Sequence, residues 1–175
     1  MTNLDRAEAT ALLERTPHAL RCLLDGMPEA WLDCDEGPET FSPRAVIAHL
    51  VHGERTDWLV RVRCILEHGP ARAFEPFDRF GHQPYCDRPV HELLDQLEEL
   101  RRDNLTQFRA LVTDEALDRR GLHPALGEVS MRELLAAWVV HDLTHIAQIA
   151  RVMARRYATD VGPWHEYMGV LSWRR

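Results

Sequence analysis

Lysine is absent from the chain: all 21 basic residues are arginine. Schiff-base and lysine-nucleophile chemistry are thereby excluded. Cysteine is scarce, and Cys22, Cys34, Cys64 and Cys86 never form a Cys-x-x-Cys pair, so neither a zinc knuckle nor a redox motif is indicated and reduced, buried thiols are expected. Positive charge is outweighed, with a formal net charge of −7, which argues against general nucleic-acid affinity because such binding releases counterions to a basic surface. The longest strongly apolar run, residues 134–140, is far too short to span a bilayer. Met1-Thr2-Asn3-Leu4-Asp5 has neither the basic start nor the apolar run of a secretory signal. A cytoplasmic protein is expected, with a small molecule as its ligand and neither nucleic acid nor membrane as a partner.

What remains is a length of 175 residues, 45% hydrophobic and 28% charged, which fits one domain over 1–175. A chain of this size buries roughly 70% of the surface its unfolded form exposes, so it needs no metal merely to fold. Any metal is then expected to serve chemistry.

Apolar residues recur at helical spacing in four long stretches, and no window keeps the alternation of a half-buried strand. The fold class expected is all-α, a four-helix bundle. The first helix covers about residues 4–24, closed by Gly26 and Pro28. The second opens at Ser42-Pro43, where Ser caps the free amides and Pro supplies the first helical dihedral, and runs to Gly69-Pro70. A long, proline-rich connection over 69–89 implies a crossover rather than a tight hairpin. The third helix covers about 90–112, with Leu93, Leu97, Leu100, Leu105 and Phe108 as its buried stripe, and the fourth runs from the capping box Ser130/Glu133 to about 157. A short helix or turn is expected after Gly162-Pro163.

The stretch that carries chemistry is His141-Asp142-Leu143-Thr144-His145 in the fourth helix. Residues four apart share a face with Cβ atoms about 6 Å apart, so both imidazoles can reach one ion. Leu134, Trp138, His141, His145, Ile149 and Val152 step by three or four, which turns the pair toward the bundle core. Two neighbouring buried imidazoles would repel if charged, and a shared cation satisfies both.

A third ligand should come from the second helix, which offers His49 and His52. His49 lies on the stripe Val46, His49, Gly53, Val60 and Cys64, whereas His52 turns toward Thr56 and Arg63 and reads as solvated. Three histidines leave a coordination position open, the arrangement of a catalytic site. Glu54 and Asp57 are the candidate catalytic carboxylates, as a base or as partners that orient a ligand; the alternative is that they pair with arginines of another helix. Asp142 falls one residue off the ligand stripe and reads as solvent-facing or as a support to the ligands. Zinc is the default ion because it tolerates the geometry and is redox-silent, with nickel, iron and manganese as alternatives. Phe74, Phe77 and Phe80 lie where a lid over the metal would originate.

The segments Ser42-Pro43-Arg44-Ala45-Val46-Ile47-Ala48-His49-Leu50 and His141-Asp142-Leu143-Thr144-His145-Ile146-Ala147-Gln148-Ile149, with Val161-Gly162-Pro163-Trp164 and Tyr167, resemble the DinB/YfiT-like superfamily of bacterial proteins. The resemblance covers most of the chain in helix order, with His-x-x-x-His-x-x-Gln as its sharpest motif. It implies a four-helix bundle with a crossover, a metal held by His49, His141 and His145, and a homodimer. It also implies a transferase or isomerase in which the metal activates a low-molecular-weight thiol cosubstrate such as bacillithiol, mycothiol or glutathione.

Two other functional classes stay open. In a hydrolase the metal would activate water, and His141-Asp142-Leu143-Thr144-His145 imitates the His-Glu-x-x-His of zinc peptidases with a shorter Asp for the Glu; His165 lies too far along to be its third ligand. A non-enzymatic metal-binding or interaction bundle is the other. A di-iron carboxylate bundle is set aside because no Glu-x-x-His occurs on two helices.

Overall fold

The computed structural model describes residues 4–172; Met1, Thr2 and Asn3 of the start read above lie outside the described residues. Helix α1 spans Arg6–Leu24, with Asp5 accepting from the Glu8 amide as its cap. A single turn, α2, follows at Glu29–Leu32. Helix α3 spans Pro43–Thr56, capped as expected by Ser42, whose side chain accepts from the Ala45 amide. Helix α4 covers Trp58–His68, α5 Val90–Leu111, and α6 Met131–Arg155, the last opened by the reciprocal Ser130/Glu133 capping box. A 3-10 segment at Gly162–Tyr167 and the short α7, Gly169–Ser172, fill the expected terminal turn.

The expected second helix is two. Asp57 (φ −118°, ψ −72°) bends the chain between α3 and α4, although its amide still reaches Gly53 O at 3.0 Å and its carbonyl still accepts from Arg61 at 2.9 Å. Gly53 weakens the helix there, and the Thr56 hydroxyl donates to His52 O at 2.8 Å, a side-chain competition that bends helices. The bend throws Val60, expected on the His49 stripe, out to solvent.

The one addition to the helices among the described residues is the small antiparallel hairpin of β1, Arg120–His123, and β2, Gly127–Ser130, paired Arg120 with Ser130 through His123 with Gly127. Each strand has four residues, too few for a period-two pattern to register. The hairpin also pairs with the crossover, since Phe74 N donates to Leu122 O at 2.9 Å. Gly121 permits this docking: a Cβ there would lie 2.6 Å from Ile65 Cγ1 and 2.9 Å from the Phe74 ring.

α1, α3, α5 and α6 pack around one another, α5 against α1 and α3, and α6 against α1, α3 and α4. Their apolar stripes form two clusters. One gathers Leu13, Trp58, Val62, Leu105, Phe108, Leu134 and Trp138; the other gathers Leu20, Leu24, Val46, Ile47, Leu93, Leu97 and Ile149. Between them along the helices lies a buried polar layer of Glu54, Asp57, Arg101, Asn104, Asp142 and His145. No helix among the described residues is long and apolar enough to cross a membrane. The four cysteines are unpaired, and contrary to the sequence expectation none is buried, with Cys22 exposed.

Candidate metal centre

His49 on α3 and the inward stripe of α6, two helices packed together, bring three imidazoles to one point. His49 Nε2 lies 3.2 Å from His141 Nε2, which lies 3.1 Å from His145 Nε2. The three ligand atoms all fall within 4.8 Å of one another. A tetrahedral ion with metal–nitrogen bonds of about 2.1 Å holds its ligand atoms about 3.4 Å apart, close to the separations found. The donor set therefore fits a divalent cation.

Electrostatics point the same way. Burial, reinforced by the neighbouring histidines, pushes His49 and His141 down to about 3. His145 is also lowered by burial, against the opposing pull of the Gln148 hydrogen bond and the Asp142 charge. All three rings are thus neutral at pH 7, the state in which imidazole offers a lone pair. Without a cation, the central His141 Nε2 faces two other ring nitrogens, and a single proton can bridge only one of those contacts.

His145 Nδ1 donates to Gln148 Oε1 at 2.8 Å, one turn along α6, which leaves its Nε2 bare. Among the described residues, Nδ1 of His49 and of His141 is buried without a partner.

Around the triad stand rings from two other segments. Phe41, ahead of α3, lies 5.6 Å from the His49 ring, and Phe77 of the crossover meets it edge-on at 5.7 Å. His82, also of the crossover, is buried with its ring 5.8 Å from His49. Nothing in the sequence singled out Phe41 or His82, because both come from loops whose path only the tertiary structure fixes. Phe74 packs in the core instead, and Phe80 is exposed.

Glu54 and Asp57 both belong to ion pairs. Glu54 Oε1 accepts from Arg101 Nε at 3.0 Å, Arg101 Nη2 at 2.8 Å and Trp138 Nε1 at 3.0 Å, while Oε2 accepts from Asn104 Nδ2 at 2.9 Å. Asp57 pairs with Arg61 at 2.6 Å, and burial, partly offset by Arg61, raises its carboxyl to about 6. Asp142 is fully buried rather than solvent-facing, with Oδ2 accepting from Arg101 Nη1 at 2.6 Å. His52, read as solvated, is buried under the crossover with Nε2 3.0 Å from Asp78 O. The signal for Arg101 was present in the sequence: it stands on the α5 stripe with Leu97, Leu105 and Phe108, a charge where only apolar residues are expected.

The family model described as the DinB superfamily matches residues 12–149. No curated protein matches the chain. Among solved structures the chain is similar to YfiT from Bacillus subtilis, described as a probable metal-dependent hydrolase with an unusual four-helix bundle topology; identity is 21%, covering 90% of this chain and 92% of that one, with a TM-score of 0.73. That likeness shows the four-helix bundle fold.

Proposed function

The chain belongs to the DinB superfamily, and from that premise we propose that it is a metal-dependent S-transferase, in which His49, His141 and His145 hold one divalent ion, zinc by default, and a low-molecular-weight thiol is the nucleophile. The observation that carries the reading is the convergence of three neutral Nε2 atoms on one point. An ion held there supplies a Lewis acid that makes a thiol or water nucleophilic near neutral pH. Gln148 holds His145 in the tautomer that presents Nε2, and Phe41 and Phe77 screen His49 from water.

Thiol is favoured over water by the state of the nearby carboxylates. Glu54 and Asp142 are committed to Arg101, and Asp57 to Arg61. A thiol held by such an ion would need no protein base to lose its proton, whereas a water there would gain more from a free carboxylate. A hydrolase is the second reading, favoured by the description of YfiT as a probable metal-dependent hydrolase.

Elemental analysis of untagged protein, beside a His141→Ala, His145→Ala double variant, tests the premise. About one equivalent of metal in the parent and little in the variant supports the site. Loaded protein that consumes an electrophile only with added thiol supports the transferase. Ester or amide cleavage without thiol transfers the reading to the hydrolase, and metal binding without either leaves a binding bundle.

A further inference from the structure

We infer that Arg101 is a positioning residue of this centre: its guanidinium ties the helix that carries His49 to the helix that carries His141 and His145, and so sets the spacing of the three nitrogens. The inference rests on the metal-binding reading above.

Arg101 lies on α5, which contributes no ligand, and is 2% exposed. All five of its N–H groups are spent. Nε donates to Glu54; Nη2 donates to Glu54 and to Asp142 Oδ1 at 3.0 Å; Nη1 donates to Asp142 Oδ2 and to Leu13 O at 2.7 Å. Glu54 stands five residues beyond His49 on α3, and Asp142 directly follows His141 on α6. One rigid fork thus fixes the lateral separation of the two ligand-bearing helices.

The remaining contacts remove the slack. Asn104 Nδ2 donates to the Glu54 backbone carbonyl at 2.8 Å as well as to its carboxylate, so α5 holds α3 by main chain and side chain together. Trp138, one turn before His141, donates to the same carboxylate, lies 5.3 Å beneath the Arg101 Cζ, and stacks on Trp58 at 5.6 Å. His141 is therefore flanked on both sides by residues tied to the cluster.

Stability alone is a weak reason for such a cluster, since apolar residues of the same volume often replace buried ion pairs without loss. Holding ligands to within about 0.5 Å is a stronger one. Lysine cannot substitute, because its ammonium offers no planar fork to two carboxylates.

The test compares Arg101→Lys with Leu97→Ala, a destabilising change on the same helix that leaves the cluster intact, by Co(II) titration with visible spectra and Zn(II) competition. Arg101→Lys is expected to weaken metal binding at least tenfold and to alter the Co(II) spectrum. Leu97→Ala is expected to lower the melting temperature while keeping affinity within about threefold and the spectrum unchanged. Parent-like affinity and spectrum in Arg101→Lys, or an equal loss in Leu97→Ala, would overturn the assignment. If Arg101→Lys does not fold, Asp142→Asn is read the same way.

Parent protein that binds neither ion defeats the metal-binding reading instead. The positioning role is then decided in the metal-free protein by imidazole 15N–1H spectra. Shifts of the His49 and His141 signals in Arg101→Lys but not in Leu97→Ala support it, and unshifted signals overturn it.

Discussion

Pro17 frees the carbonyl that Arg101 takes. Proline inside α1 has no N–H to give to Leu13 O, four residues back, and Arg101 Nη1 donates to that oxygen at 2.7 Å. A helix defect and a buried cation thus satisfy each other, and the same cation holds Glu54 and Asp142.

Removing the cation strands its partners. Arg101→Met leaves two buried carboxylates unpaired and is expected to cost about 3–5 kcal/mol, read from urea unfolding. A loss below about 1 kcal/mol would mean that the cluster is far better solvated than its burial indicates.

Gly81 tests the seating of the crossover. A Cβ at this position would come 2.2 Å from His52 Cε1, so Gly81→Ala must displace the ring and its contact with Asp78 O. Overpacking of this kind costs about 1–3 kcal/mol. Chemical denaturation showing no change would place the crossover away from His52.

Gln148 orients one ligand. Gln148→Leu removes the acceptor of His145 Nδ1–H and should lower metal affinity about 10–100-fold, with little change in the melting temperature of the metal-free protein. Unchanged affinity by zinc competition would show that the tautomer is fixed in another way.

Acid should unfold the metal-free protein early. Above pH 6.5 His49 and His141 are neutral folded and unfolded alike; below it the unfolded chain takes up protons that the folded rings, lowered to about 3, refuse. Stability is therefore lost progressively from about pH 6.5 toward 3. Asp57 opposes this in part: its folded carboxyl, raised to about 6 against an unfolded value near 3.9, gains a proton first on folding and adds stability as pH falls through that window. Two histidines outweigh one aspartate, so melting temperatures in chelator should fall across pH 6.5 to 4, and a His49→Phe, His141→Leu variant should show a flatter profile. A flat parental profile would contradict the burial of the triad.

The sequence by itself determined the parts that one helix decides alone. Periodicity, the Ser42 cap and the Ser130/Glu133 box mark the long helices, and the stepping of Leu134 to Val152 by three and four turns His141 and His145 toward the core. Only the tertiary structure decided what several segments decide together. The four-residue strands, the burial of His52 beneath Gly81 and the approach of Phe41, Phe77 and His82 to the triad depend on loops, which leave no period in the sequence. The fate of Glu54 and Asp142 was equally hidden. A carboxylate on a core-facing helix can stay free or pair with a cation, and the choice belongs to Arg101, 47 residues from one and 41 from the other, which the bundle alone brings within hydrogen-bonding reach.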